Sequence, residues 1–410
     1  MSTSTTSPYD RAIARLEELA RVSDHPEFLT RSFLSPANLK AARMVSAWMS
    51  ELDMEVGHSV DGTVRGVLAG SRPDEAPLLL GSHLDTVVDA GCYDGALGIA
   101  VALAALEDLR DSGKSLPFPV HVLGFSDEEG SRFHTTYLGS RSVTGELDTE
   151  TLGKTDEAGR DLASVLRDEG WHEGATPIRY AKSEPRGYVE VHIEQGPVLE
   201  TEDLAACGVS SIAGQSRLAI TLKGRADHAG TTPMGQRRDA LAGASECVLA
   251  AEKLATQHAE AVATIGKLQV GPGVSNTIPQ LAEFSVDLRH PDDAVRDAIR
   301  EQMRNEFEEI SHRRALDLNF QIVQENPAIR CNPELTDQLA EVAEEVTGRR
   351  LCLASGAGHD AVTLATIAPV AMLFVRCREG LSHHPDEYAS PHDVAVAGRI
   401  LAKFLKRLAS

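Results

Sequence analysis

Gly81-Ser-His-Leu-Asp-Thr-Val-Val-Asp-Ala-Gly-Cys-Tyr-Asp-Gly95 is the most informative stretch of the chain. An apolar run, Pro77 to Leu80, leads into it, and such a run bounded by glycine reads as a buried strand. His83 then stands where the strand gives way to a loop. Asp85 lies two residues on, so on one extended strand both side chains face the same way. Asp94 follows in a glycine-flanked loop, just before the helical pattern Ala96–Leu106. An imidazole, a carboxylate to orient it and a second carboxylate in a tight loop are parts of a metal site. Cys92, inside the same loop, reads as a packing residue, because oxygen and nitrogen ligands already suffice.

The flanking pattern sets the fold class. Strands are predicted at 64–69, 77–82 and 117–126, with a helix over 96–112. Strand, helix, strand in this order is a βαβ unit, so the class is α/β, a mainly parallel sheet with helices on both faces. Upstream, 9–22 has helical spacing, and Ser35-Pro-Ala-Asn opens a second helix with Ser35 as N-cap and Pro36 at the first helical position. A further strand, Gly187–Glu194, ends in Gln195-Gly-Pro. The pattern changes after Ile212. Segments 218–222, 263–270 and 282–289 alternate like strands of an antiparallel sheet with one wet face, and 320–323 closes the set. Helical stretches at 239–254 and 293–310 accompany them. The expected organisation is an α/β domain, 1–212 and 328–410, with an inserted α+β domain of two helices on one antiparallel sheet, 213–327. The α/β pattern resumes with helix 334–346, strands 351–354 and 370–375, and helix 391–408.

Composition narrows the partners. A chain of 410 residues suggests two domains, and 42 % hydrophobic with 25 % charged residues is a globular composition. A net charge of −21 argues against nucleic acid and anionic membrane surfaces. The six cysteines form no CxxC pair, so a reducing, cytoplasmic compartment is expected. Residues 1–8 are polar and do not read as a signal peptide, and the apolar stretches are too short to span a bilayer.

In open α/β sheets, sites form at the carboxyl ends of strands. The acidic and imidazole side chains expected there are His83, Asp94, Glu128, Glu129, His192, and His383 or His384. We assign His83, Asp94 and His192 to one divalent ion, and Asp94, Glu129 and His383 to a second. A shared aspartate sets two ions roughly 3.5–4 Å apart, the arrangement that polarises a carbonyl and activates water. A lone histidine is more often an ordinary core or surface residue, and Glu128-Glu129 alone is more often a solvated acidic pair. Their joint occurrence at strand ends, beside glycine or proline turns, favours the site. Adjacent residues point apart, so Glu128 is expected to stay free of metal and act as general base.

At this point a resemblance enters. Gly81-Ser-His-Leu-Asp-Thr86, Tyr93-Asp-Gly-Ala-Leu-Gly98, Asp127-Glu-Glu-Gly-Ser-Arg-Phe133, His192-Ile-Glu-Gln-Gly-Pro197, His228-Ala-Gly-Thr-Thr-Pro-Met234, Ser275-Asn-Thr-Ile-Pro279, Ser355-Gly-Ala-Gly-His-Asp-Ala361 and Ser382-His-His-Pro-Asp-Glu387 resemble the M20-type dinuclear metallohydrolases. Within them the chain is similar to the hydantoin-utilisation and ureide branch. His192 is a discriminator, since related peptidases usually place a carboxylate there. The resemblance implies Gln195, Asn276, Arg289, Gly358 and His359 as substrate contacts and His228 as a catalytic group for the oxyanion. Arg289 suits a substrate carboxylate, because a guanidinium fork pairs with it in two places. Asp85 is implied as the residue that orients His83. Gln215 and Arg217 also match, with structural roles equally open.

The resemblance further implies two divalent ions per subunit, Mn2+ as the usual metal with Zn2+, Co2+ or Ni2+ as fitting alternatives. It implies that 1–212 and 328–410 are a catalytic dinuclear-metal domain and 213–327 a lid or dimerisation domain, a homodimer in which His228 and Asn276 complete the neighbouring subunit's site, and a small anionic ureide substrate. Segments 22–36, 89–94, 187–192 and 372–378 look like allantoate amidohydrolases, so allantoate is the expected substrate. An N-carbamoyl-L-amino acid or β-ureido acid is the alternative, and an aminoacylase or peptidase activity ranks below both. The branch's Ser-His-Asn/Ser-Pro motif is here Ser382-His383-His384-Pro385, which aligns His383 as ligand and leaves His384 as the alternative.

Overall fold

The computed structural model describes residues 7–409. Residues 1–6, most of the polar leader read above, lie outside the described residues. The chain divides into two compact units. One runs through Ser210 and resumes with Cys331–Leu353 and from Gly358 onward. The other comprises Ser211–Arg330 with Ala354–Ala357.

In the first unit, Ser7 and Ser35 start helices Pro8–Ala20 and Pro36–Glu51. Each serine side chain accepts a main-chain N–H three residues on, and each is followed by proline. The sheet runs, edge to edge, Glu55–His58, Val64–Leu68, Val120–Phe125, Leu78–His83, Gly187–Ile193, Val370–Val375, Ala206–Ile212 and the short Ile329–Arg330, with Cys352–Ser355 also on Ala206–Ile212. The middle four strands pair in parallel and the flanking pairs are antiparallel. The middle strands are buried along their whole length apart from His121, which explains their near-continuous apolar runs. Helix Ala96–Asp111 is buried on every side from Ala96 to Glu107, with only its last turn reaching solvent. It packs so close to the sheet that a Cβ on Gly98 would lie 2.3 Å from the Val191 carbonyl.

In the second unit, the sheet runs Asp317–Asn326, Gly214–Lys223, Leu281–His290 and Val262–Thr264, with Leu268–Gly271 also on Leu281–His290. All the registered pairs are antiparallel. Leu218, Ile220, Leu222, Phe284, Val286 and Leu288 pack with residues of helices Ala240–Thr256 and Asp293–Arg313. The single strand expected over 263–270 is two short ones. Thr264 faces Asp287 and Leu268 faces Phe284, four steps against three, so one extra residue bulges out around Gly266. Strands Ala206–Ile212 and Glu55–His58 had no expectation. The Ala, Cys, Gly and Ser content of the first hides the period of two, and the second is only four residues long and mostly polar. No described helix is long and apolar enough to cross a membrane.

Candidate metal centre

Three neighbouring parallel strands deliver the site at their carboxyl ends. His83 is the last residue of Leu78–His83, His192 the penultimate residue of Gly187–Ile193, and Ser126–Glu129 follow Val120–Phe125. Tertiary order therefore places side by side residues that are far apart in sequence.

Each strand histidine is pinned through Nδ1, His83 on the Asp85 carbonyl at 3.1 Å and His192 on the Ile193 carbonyl at 2.9 Å. That leaves Nε2 of both rings on Asp94 Oδ1, at 3.5 and 3.0 Å. The other oxygen, Asp94 Oδ2, lies 3.2 Å from His383 Nε2, which is itself 3.3 Å from Glu129 Oε1. Two ligand groups, His83–Asp94–His192 and Asp94–Glu129–His383, thus meet at one carboxylate. His384 is not among them. Its Nδ1 accepts the Asp386 main-chain N–H at 3.1 Å.

Asp85 has partners beyond His83. The strand ends at His83, and the Asp85 carboxylate turns chiefly to the main chain of the acidic pair. It accepts the N–H groups of Glu128 at 2.9 Å and Glu129 at 3.1 Å, and is 3.5 Å from His83 Nδ1. The pair itself corrects an expectation. Glu128 and Glu129 sit in a bend, where strand alternation does not apply, and an oxygen of each converges with a His83 nitrogen within 4.8 Å. They do not point apart.

The donor set suits a divalent cation. Asp85, Asp94 and Glu128 are buried, and Glu129 nearly so. Burial and then Glu129 push the Glu128 carboxyl well up, and burial and Asp94 push Glu129 up to about 7. Burial would depress His83 and His192, yet the bonds of His83 to Asp85 and Asp94 and of His192 to Asp94 carry both upward. His383 is raised to about 9, first through its bond to Asp94. Asp94, opposed by burial, is held far down by the three imidazoles. A pocket of carboxylates that draws protons onto its imidazoles is one that positive charge stabilises, and mixed imidazole and carboxylate donors fit Mn2+, Zn2+, Co2+ or Ni2+.

Gln195, Gly358, His359 and Cys92 belong to the same unit as these ligand groups. Gln195 donates Nε2 to Asp94 Oδ2 at 3.1 Å and to Ser382 Oγ at 3.0 Å, while its buried Oε1 has no hydrogen-bond partner. His359 is buried and stacks edge-on to His192 with ring centres 4.5 Å apart. Burial and His192 hold it well below the usual histidine range, so it is neutral. Gly358 leaves room for the Tyr137 hydroxyl, which a Cβ would meet at 1.9 Å. Cys92 is half-buried and its thiol is pushed up to about 11, so it stays protonated at neutral pH.

In the second unit, Gln215, Arg217, Asp287 and Arg289 share the face turned away from the helices, paired Arg289 to Gln215 and Asp287 to Arg217. Arg289 does not present an open fork. Its Nε and Nη2 bind Asp287 at 3.0 and 3.2 Å, and Nη1 donates to the Gly356 carbonyl at 2.8 Å. Gln215 donates to Asp287 at 2.8 Å, and Arg217 Nε is 3.5 Å away from it. His228 and Asn276 are exposed neighbours, joined by the bridge of His228 to Thr277 and by the Ala229 N–H on the Asn276 carbonyl at 3.0 Å.

Three buried side chains escaped sequence reasoning. Glu387 accepts the N–H groups of Tyr93 and Asp94 at 2.8 and 3.0 Å. Glu190 accepts from Ser82 Oγ and the Ala361 N–H. Arg31 donates to the carbonyls of Leu84 and Leu19. The first two belong to quoted motifs or strands, but partner identity was not legible. Arg31 carries no local signal.

Residues 79–407 match Peptidase family M20/M25/M40. The chain belongs to this family. An allantoate deiminase of Arabidopsis thaliana is 38 % identical over 97 % of this chain and 82 % of its own length. An N-carbamoyl-L-amino acid amidohydrolase of Geobacillus stearothermophilus is 36 % identical over 98 % of each chain. Among solved structures of the M20 fold, a hydantoinase/carbamoylase-family amidase from Burkholderia multivorans superimposes with a TM-score of 0.90, at 31 % identity over 98 % of both chains.

Proposed function

We propose that this chain hydrolyses a ureido C–N bond of allantoate, giving ureidoglycine, ammonia and carbon dioxide. It is an amidohydrolase acting on carbon–nitrogen bonds other than peptide bonds. The observation that carries the mechanism is the division of Asp94, with Oδ1 facing His83 and His192 and Oδ2 facing His383. Divalent ions bound there, Mn2+ by preference, would polarise the ureido carbonyl and supply a nucleophilic water near neutral pH.

The chain's own groups do the rest. Glu128, held by the clasp of Asp85 on its main chain, takes the proton of the attacking water and passes it to the leaving nitrogen. Burial and Glu129 raise its proton affinity, which suits a group that must hold a proton between two transfers. Gln195 offers its unpartnered Oε1 to a ureido N–H. Arg289 exchanges part of its hold on Asp287 and Gly356 for the substrate carboxylate, with Gln215 and Arg217 steadying Asp287. His228 donates to the developing oxyanion, and Asn276, Gly358 and His359 shape the substrate pocket.

Resemblance to allantoate deiminases along nearly the whole chain supports this substrate. A second reading, an N-carbamoyl-L-amino acid amidohydrolase, is favoured by a relative that matches end to end. Ammonia release by Mn2+-loaded protein from allantoate and from a panel of N-carbamoyl amino acids separates the two. Fast turnover of a carbamoyl amino acid with none of allantoate would reverse the order.

A further inference from the structure

Glu387 is outside the ligand set, yet its carboxylate is buried, 4 % exposed, beside it. Oε1 accepts the main-chain N–H groups of Tyr93 and Asp94 at 2.8 and 3.0 Å, and Oε2 lies 3.0 Å from Ser382 Oγ. Ser382 precedes His383 in the chain, and its hydroxyl is also 2.9 Å from Asp94 Oδ2. One carboxylate therefore ties the loop that carries Asp94 to the loop that carries His383. Its own loop is closed by the Glu387 N–H on the His384 carbonyl at 3.0 Å. The approach is tight enough to require Gly91, where a Cβ would lie 2.3 Å from the Glu387 Cβ.

The two ligand groups depend on this tie unequally. His83 and His192 stand on paired strands, with Nδ1 fixed on main-chain carbonyls. His383 sits in a loop, in the left-handed region with φ 56°, and its side chain is 47 % exposed, so it has little else to hold it.

We propose that Glu387 is a positioning residue for one ion of the pair. It assembles Asp94 with Glu129 and His383, while the strands hold His83 and His192 without it. The proposal rests on the two-ion reading above.

The test uses the metal-free full-length protein titrated with Mn2+, with free Mn2+ followed by its electron paramagnetic resonance signal. The wild type takes up two equivalents. Glu387→Ala weakens the ion of Asp94, Glu129 and His383 roughly 10–100-fold, as expected when the partner of a ligand is removed, and weakens the other, which shares Asp94 but keeps both strand histidines, by clearly less. Glu387→Gln, which keeps the acceptor for both N–H groups, recovers much of the loss. Gly91→Ala, which pushes the carboxylate away, gives the same split. Should Glu387→Ala fold poorly in thermal melts without metal, Ser382→Ala cuts the same tie and must show the same asymmetry. Two ions at wild-type affinity in these variants overturn the proposal, as does equal weakening of both, which marks a merely structural role. A wild type that binds fewer than two ions removes the two-ion reading first and this inference with it.

Discussion

Asp94 gives each of its two oxygens to a different imidazole group, and the residue-scale chemistry follows from that division. Glu128 lies outside both ligand groups that meet at Asp94, so Glu128→Gln is expected to keep the metal content while lowering turnover by about 10²–10⁴-fold. Metal analysis beside steady-state ammonia release checks both halves, and surviving activity would displace Glu128 as the base. Proton counting supplies a second prediction. With His383 raised to about 9 and Glu129 to about 7, the metal-free site at pH 7 holds a proton on the imidazole and part of one on the carboxyl. Ligation needs both groups deprotonated, so Mn2+ uptake at pH 7 must release protons and acidify a weakly buffered solution. The release shrinks as pH rises through 9, and a pH-stat titration reads it. By the same sign, affinity for the ion falls as the solution becomes more acidic.

At the scale of elements, the site is a property of strand ends. The alternation and apolar runs made strands 78–83, 187–193 and 370–375 legible, because a strand buried on both faces must be apolar along its length. The bend at 126–129 was not legible as a bend, and a strand rule applied there mis-aimed Glu128 against Glu129. Gly98 was quoted for its motif, while its close approach to Val191 emerged only from packing. Gly98→Ala is expected to destabilise the protein by about 1–3 kcal/mol through overpacking, read as a lowered midpoint in urea. The same helix packs behind both His83 and His192, so metal affinity should fall with stability in this variant.

For the whole molecule, a net charge of −21 does not forbid the anionic substrate proposed, since the cationic groups Arg217 and Arg289 are local to one face of the second unit's sheet. The expected homodimer makes a prediction about function. If His228 and Asn276 serve the neighbouring copy, Glu128→Gln and His228→Ala protomers, each inactive alone, should regain activity when refolded together. Persistent inactivity of the mixture, with mixed dimers present by mass, would assign His228 to its own chain. What the sequence determined by itself was the α/β class, the βαβ order and the residue types of the metal centre, because burial periodicity and ligand chemistry are local. Only the tertiary structure decided how those residues combine. Parallel pairing set His83 beside His192, a loop turned His383 rather than His384 inward, Asp287 took up the Arg289 fork, and Glu387 reached across 293 residues to the Asp94 loop. Those partnerships join distant parts of the chain, and which hydrogen-bond donor finds which acceptor is fixed only when the packed core brings them within about 3 Å.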